Sequence, residues 1–264
     1  FTFSSLASNV EMMSADEFVA NKGKDNGSRS YNWEDAIMRN AFSTNHDVSF
    51  TKSTENSSTR LSIGASNTEG VVKNTGLDKY TIAFNNSNDF FGGALKIDTK
   101  FNYSNLRDEA TIISNSAGYV GNLIGAALYW NPTDAIYNTD GTYNVRPNGF
   151  KEDSEVFLNP VKLLNSYTDY TNTNKLLGSI KSTLKINDNL NYQFLFGVES
   201  SNSARKNQID PTMKIESVAR AEGKFGQAGI NQLDRFNKTF EHTLNYNKTI
   251  NDNFQMDALL GYSY

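Results

Sequence analysis

No cysteine occurs anywhere in the chain, so neither a disulfide framework nor a thiolate metal site can hold it together. No stretch approaches the roughly 18–20 consecutive apolar residues that a membrane helix needs, which excludes a helical span. It does not exclude the membrane. A barrel strand shows lipid at every second residue only, so a mean hydropathy of −0.56 is compatible with one. Basic charge is also lacking: the net charge is −4 and the pI near 5.3, with no footprint for nucleic acid. The two histidines, His46 and His242, stand far apart in the sequence, without metal-ligand spacing. Asp140-Gly141 lacks the further carboxylates of a calcium loop and reads as a turn. Gly64, Gly70, Gly76, Gly92 and Gly93 form no phosphate loop and read as turn or bulge glycines. These absences point away from an enzyme and from any cofactor or metal.

What is present is aromatic, amide and hydroxyl side chains in strict alternation. Lys96, Asp98, Lys100, Asn102 and Ser104 interleave with Leu95, Ile97, Phe101 and Tyr103. Phe236, Phe240, Leu244 and Tyr246 interleave with Asn237, Thr239, Glu241, Thr243 and Asn245. Successive side chains of a strand point to opposite faces, so each such segment has one apolar and one wet face. The pattern predicts strands near 1–8, 44–54, 57–68, 77–87, 93–106, 174–186, 190–203, 233–247 and 253–264. Several reach the roughly 9–11 residues a tilted strand needs to cross a bilayer.

The links between strands alternate in length. Short turns are expected at Glu55-Asn56, Asn88-Asp89, Asn187-Asp188-Asn189 and Asn247 to Asn253. Longer links cover about 9–43, 69–76, 107–173 and 204–232. That order suits an up-and-down transmembrane β-barrel with one trimmed rim and one elaborated rim. Short helices are expected inside the long links at Ser14 to Ala20, Trp33 to Arg39 and Ala117 to Tyr129. The fold class is therefore all-β, an antiparallel barrel segment of about nine strands. It opens and ends in strand-like pattern, and an open, curved sheet is expected.

The segment Met13-Ser14-Ala15-Asp16-Glu17-Phe18, the Trp33-Glu34-Asp35-Ala36-Ile37-Met38-Arg39 helix and Asn45-His46-Asp47-Val48-Ser49-Phe50 follow one another. Then comes a hairpin running from Arg60 through Glu69-Gly70-Val71-Val72-Lys73-Asn74-Thr75-Gly76 to Tyr80. This order resembles the early barrel of the SusC-like TonB-dependent transporters of Bacteroidota outer membranes. Asn131-Pro132-Thr133-Asp134 and Asn159-Pro160 resemble loop segments of the same family. Lys52-Ser53-Thr54 departs from it, where the family often has a Gly-Gly pair. The resemblance implies that residues 1–264 form part of a transporter barrel domain without its plug. It further implies location in the cell outer membrane and uptake of oligosaccharides or peptides. The implied partners are a SusD-like surface lipoprotein and, through the missing plug region, the TonB-ExbB-ExbD complex.

With the short turns on the periplasmic side, Phe84, Tyr192, Phe194, Tyr246 and Phe254 would form an aromatic girdle. Lys238 and His242 fall on the lipid-facing parity, where a charge at mid-depth costs about 2–4 kcal/mol. They must sit near an interface, or the register must shift there. In the long outer link, Tyr129, Trp130, Tyr137 and Tyr143 are the candidate ligand contacts. Aromatic faces stack on sugars or peptides while nearby amides and hydroxyls bond the edges. The competing reading of that link is a loop packed on its own aromatics; Trp33 reads as a packing anchor. The alternative for the whole chain is a secreted β-rich carbohydrate-binding or adhesin module, which would bury its apolar parity.

Overall fold

A computed structural model describes residues 30–112, 123–147, 155–157, 159–213 and 226–264, together with Asp16 and Ala20. The expected strand at 1–8 lies outside the described residues, as does most of the expected helix from Ser14, of which Asp16 and Ala20 are helical. The strands of the main sheet are β1 (Ser43–Ser53), β2 (Ser57–Glu69), β3 (Gly76–Phe90) and β4 (Leu95–Ala110). A short pair, β5 (Arg146–Pro147) and β6 (Glu155–Phe157), sits in the long link. The sheet resumes with β7 (Tyr167–Asn187), β8 (Leu190–Ile209), β9 (Gln227–Asn251) and β10 (Phe254–Ser263). Helices α1 (Trp33–Ile37), α2 (Leu123–Tyr129) and α3 (Pro160–Ser166) belong to the long links.

Among the described residues the sheet has eight strands in the order β1-β2-β3-β4-β7-β8-β9-β10, every pair antiparallel, with β1 and β10 at its two edges. It is the open meander expected. The register brings apolar parity to apolar parity at every junction. Val48 faces Ile63, Ile63 faces Ile82, and Ile82 faces Tyr103, which faces Leu176. Lower down, Leu184 faces Tyr192, Tyr192 faces Leu244, and Leu244 faces Leu260. A slip of one residue at any junction would put half of these side chains on the wet face.

This apolar face is uncovered. Val48 is 73% exposed and Leu260 72%, whereas a water-soluble domain would pack such residues inside. The face belongs against lipid, which argues against the soluble-module alternative. Its apolar band also slopes. Ile63 and Ile82, centred in the apolar runs of β2 and β3, are direct partners. From Ile82 the ladder leads through Tyr103 and Leu176 to Ser200, yet the apolar run of β8 centres on Phe194, six residues lower (200 minus 194). Over the four steps from β2 to β8 this is roughly one and a half residues per strand, about 5 Å of rise for each ~4.8 Å of spacing, a tilt near 45°. Closed membrane barrels need that inclination.

Lys238 and His242 stay on this face, because the β8–β9 ladder runs without a shift. His242 Nδ1 and the Tyr192 hydroxyl share a 2.7 Å hydrogen bond, and the imidazole lies 5.1 Å from the Phe194 ring. One of its two ring nitrogens is thus satisfied sideways, within the sheet face. Lys238 places its ammonium 5.3 Å from the Phe236 ring, at the upper end of the β9 apolar run, where a long stem can reach towards water.

Two expectations need correction. The β3–β4 turn falls at Phe91 to Gly93 rather than at Asn88-Asp89, which stay in the ladder opposite Ile97 and Lys96. Phe91, Gly92 and Gly93 have φ of 56°, 68° and 88°, a left-handed run that two glycines make accessible. Phe84 consequently lies well inside β3 rather than at its turn, while Tyr192 and Phe254 stand beside theirs. Secondly, β7, β8 and β9 run to 21, 20 and 25 residues, longer than expected. Their upper halves carry polar residues on both faces, so alternation fades although pairing continues.

Parity makes a direct prediction. In the complete membrane-inserted protein, Ile180→Arg should lower unfolding stability by about 2–4 kcal/mol, and Ser179→Arg, on the opposite face, by less than about 1. Chemical denaturation in lipid vesicles measures both; equal losses would contradict the assigned face.

Candidate functional site

The buried core of the described residues lies in the long links rather than in the sheet. Trp33, Ile37, Val72, Leu123, Ala127, Trp130, Val161, Leu163, Leu164, Ile209 and Met213 form a single cluster at the long-link rim. Each helix enters it through a specific cap. Asn32 accepts hydrogen bonds from the backbone N–H groups of Glu34 and Asp35 at 3.1 and 3.2 Å, starting α1. Asn159 does the same for Val161 and Lys162 at 3.0 and 3.2 Å, with Pro160 at the first helical position of α3. The Asn159 amide then donates to the carbonyls of Ile136 and Asn144 at 2.9 and 3.0 Å. One fully buried side chain thus starts a helix and ties down the neighbouring loop.

The Glu69 to Tyr80 hairpin fastens this cap to the wall. Gly70 N–H donates to the Thr75 carbonyl at 2.9 Å, and the Thr75 hydroxyl donates to the Val72 carbonyl at 2.7 Å. Arg39 donates to the carbonyls of Gly70 and Thr75 at 3.1 and 2.9 Å and pairs with Glu69 at 3.2 Å. Glu69 also accepts from the Phe42 N–H at 3.1 Å. Lys73 donates to the Ala36 carbonyl at 2.8 Å, at the C-terminal end of α1, where a cation is favoured. Asn74, with φ of 60°, reaches the Leu164 carbonyl of α3 at 3.2 Å. The motif is structural: a knot joining α1, α3 and two strands.

The structure splits the aromatic set expected to meet ligand. Trp130 is 4% exposed, its ring centroid 5.1 Å from that of Trp33, which is 3% exposed and donates to the Asn131 carbonyl at 3.2 Å. Both indoles are core. Tyr129 is 38% exposed at the end of α2. Tyr137 and Tyr143 are brought together across a small loop, ring centroids 5.2 Å apart, with Tyr137 48% exposed. That loop is closed by Asp140, which accepts from the Thr142 N–H and hydroxyl at 2.9 and 2.6 Å, and by Gly141 at φ 84°. The Thr142 bonds hold the Asp140 carboxyl below the usual range. Burial, then the neighbouring Tyr143, pushes the Tyr137 phenol up. Asn165 of α3 donates to the Tyr143 hydroxyl at 2.9 Å, setting the pair on the cap.

An open cleft of about 230 Å³ lies beside it, lined by Asn74, Asn165, Tyr167 and Asp169 and bordered also by Arg107, Glu109 and Tyr170, which belong to the outward parity of β4 and β7. Asp169 is buried above the apolar band and accepts from Arg205 Nε at 2.9 Å and from the Tyr167 hydroxyl at 3.0 Å. The guanidinium, opposed by burial and assisted by Tyr167, keeps its carboxyl below the ordinary range. Sequence reasoning missed this pair, because Asp169 and Arg205 meet only through the β7–β8 register. It also missed α3, although Asn159-Pro160 before Val161, Leu163 and Leu164 is a helix-start signal. No cluster of three or more metal-ligating side chains occurs among the described residues.

No protein-family model matches the chain. It is 30% identical over 233 residues to TonB-dependent receptor P26 of Formosa agariphila, covering 88% of the chain and 22% of that receptor. To TonB-dependent receptor SusC of Bacteroides thetaiotaomicron it is 28% identical over 150 residues, covering 54% of the chain and 14% of SusC. A solved structure of the RagAB peptide importer in its closed-closed state matches with a TM-score of 0.71 at 16% identity, over 89% of this chain and 25% of that one. The chain thus spans at most about a quarter of the length of these relatives. Register, uncovered apolar face and comparisons together define a stretch of outer-membrane β-barrel wall. That wall is of the SusC-like TonB-dependent transporter type.

Gly70 offers the sharpest test of the cap. A Cβ there would lie 1.9 Å from the Thr75 hydroxyl oxygen, so Gly70→Ala should destabilise the cap by about 1–3 kcal/mol. Limited proteolysis of the complete protein should then cut faster near Lys73 and Arg39, while the wall stays protected.

Proposed function

We propose that the chain supplies wall and outer loops to an energised outer-membrane importer of oligosaccharides or peptides. The supporting observation is the folded cap, which sits on the long-link rim of the wall and holds Tyr137 and Tyr143 side by side above a buried platform. Two neighbouring phenol rings offer apolar faces to a sugar ring or a peptide side chain. Asn138 and Asn165 supply amide groups around them. Because Trp33 and Trp130 are packed under the cap, binding need not order them. That lowers the entropic cost of capture.

In this reading the cap is one half of a cargo chamber, and a SusD-like surface lipoprotein closes the other half. Release into the periplasm requires work from the TonB-ExbB-ExbD complex, transmitted through a region outside this chain. The wall residues have no catalytic part. The name of RagAB as a peptide importer and that of SusC as a TonB-dependent receptor support import as the activity class. They leave cargo to be found by experiment.

The test is cargo binding by the complete transporter. Replacing both Tyr137 and Tyr143 with Ala should weaken binding about tenfold, near 1.4 kcal/mol, whereas replacing both with Phe should change it less. Unchanged affinity in the double Ala variant would remove the pair from the binding surface.

A further inference from the structure

Above the apolar band, the outward face of β4, β7, β8 and β9 changes its chemistry within one row. Next above Tyr103, Leu176, Ser200 and Phe236 stand Asn105, Asn174, Asn202 and Asp234, each the direct ladder partner of the next. These side chains bond sideways. The Asn105 amide donates to Asn174 Oδ1 at 2.8 Å, the Tyr103 hydroxyl donates to the same oxygen at 3.0 Å, and Asn202 donates to Asp234. Arg107, two residues further up β4, lies 4.5 Å over the Tyr170 ring, and Glu109 holds its Nε at 2.8 Å. The two terminal amino groups of that guanidinium remain for other partners.

The belt therefore combines amide donors, amide and carboxylate acceptors and one guanidinium, on strands whose next rows down face hydrocarbon. A bare phosphate would call for cations gathered at one point, but Arg107, Lys206 and Lys238 on this face stand on three different strands, with Glu109 and Asp234 among them. Sugar hydroxyls, which donate and accept together, fit the mixture. Continuity with the lipid-facing band decides the source: a molecule seated here with its tail downward has its acyl chains against Phe101, Leu176 and Val198. We propose that this belt docks the sugar headgroup of an outer-leaflet glycolipid. The proposal rests on the lipid-facing reading of the wall.

The experiment uses the complete transporter, extracted from its own outer membrane in mild detergent and weighed by native mass spectrometry. The parent should carry bound glycolipid. Asn105→Leu combined with Asn174→Leu, and separately Arg107→Ala, should each lower the retained glycolipid at least about fivefold, the scale of a lost hydrogen bond to a polar or charged group. Ser104→Leu, on the opposite face, should retain the parent's amount. Heat-dependent gel migration reports whether each barrel is intact, and Arg107→Ala decides the matter if the double variant does not fold. Intact variants that keep the parent's glycolipid, or a parent carrying a protein neighbour and no glycolipid, would overturn the proposal. A parent that needs no detergent at all would instead overturn the wall reading beneath it.

Discussion

Hydrocarbon offers a peptide group no hydrogen-bond partner, so a chain that crosses a bilayer as strands must satisfy its backbone sideways, from strand to strand. Everything else in this chain is arranged around that constraint. The ladder cannot be broken, so the register must serve two demands together: continuous pairing and one face fit for lipid. From β1 to β10 the apolar parity of each strand meets that of the next, and the polar parity does likewise. The slope of the apolar band across the rows is the geometric consequence. Strands tilted in the membrane meet the lipid at successively lower residues while their hydrogen bonds run level.

The same constraint explains where the conventional core went. Residues on the wall have lipid or water as neighbours and build no interior of their own. Among the described residues a packed interior appears where the long links fold over the rim, in the cluster around Trp33, Ile37, Leu123 and Leu163. Loops of that length carry many backbone groups away from any ladder. Asn32, Asn159 and Arg39 answer that need by taking the loose N–H and carbonyl groups at helix starts and at the hairpin knot. Binding chemistry can then be displayed on a firm support, as Tyr137 and Tyr143 are.

Legibility followed the physics of each region. The membrane-crossing halves of β2, β3, β8 and β9 could be read from Ile63, Ile82, Phe196 and Phe240 because one face is greasy and the other wet. The upper halves of β7 to β9 could not: around Thr171, Ser203 and Asn231 both faces meet water, and pairing there leaves no periodic trace. Asn88-Asp89 is the stronger turn signal in isolation, which puts the expected turn there; the ladder to β4 holds both residues in the strand and leaves the turn to Phe91 through Gly93. The Glu69 to Tyr80 hairpin was recognisable as a pattern, but its purpose needed the bonds from Arg39 and Lys73. Of the proposed contact residues, Tyr137 and Tyr143 were placed together by one small loop. Trp130 was drawn into the core by Trp33, ninety-seven positions away (130 minus 33), a distance no local reading spans.

Which side of the wall meets lipid decides the role of every strand. The chain's lack of cysteine makes its own strands free for single-cysteine labelling. Fluorophores placed in turn along β8, at Tyr192 through Val198, should report this in the complete protein reconstituted into vesicles. A lipid-soluble quencher should dim labels at Tyr192, Phe194, Phe196 and Val198, and spare those at Gln193, Leu195 and Gly197. Quenching without a two-residue period, or with the opposite phase, would contradict the assigned face.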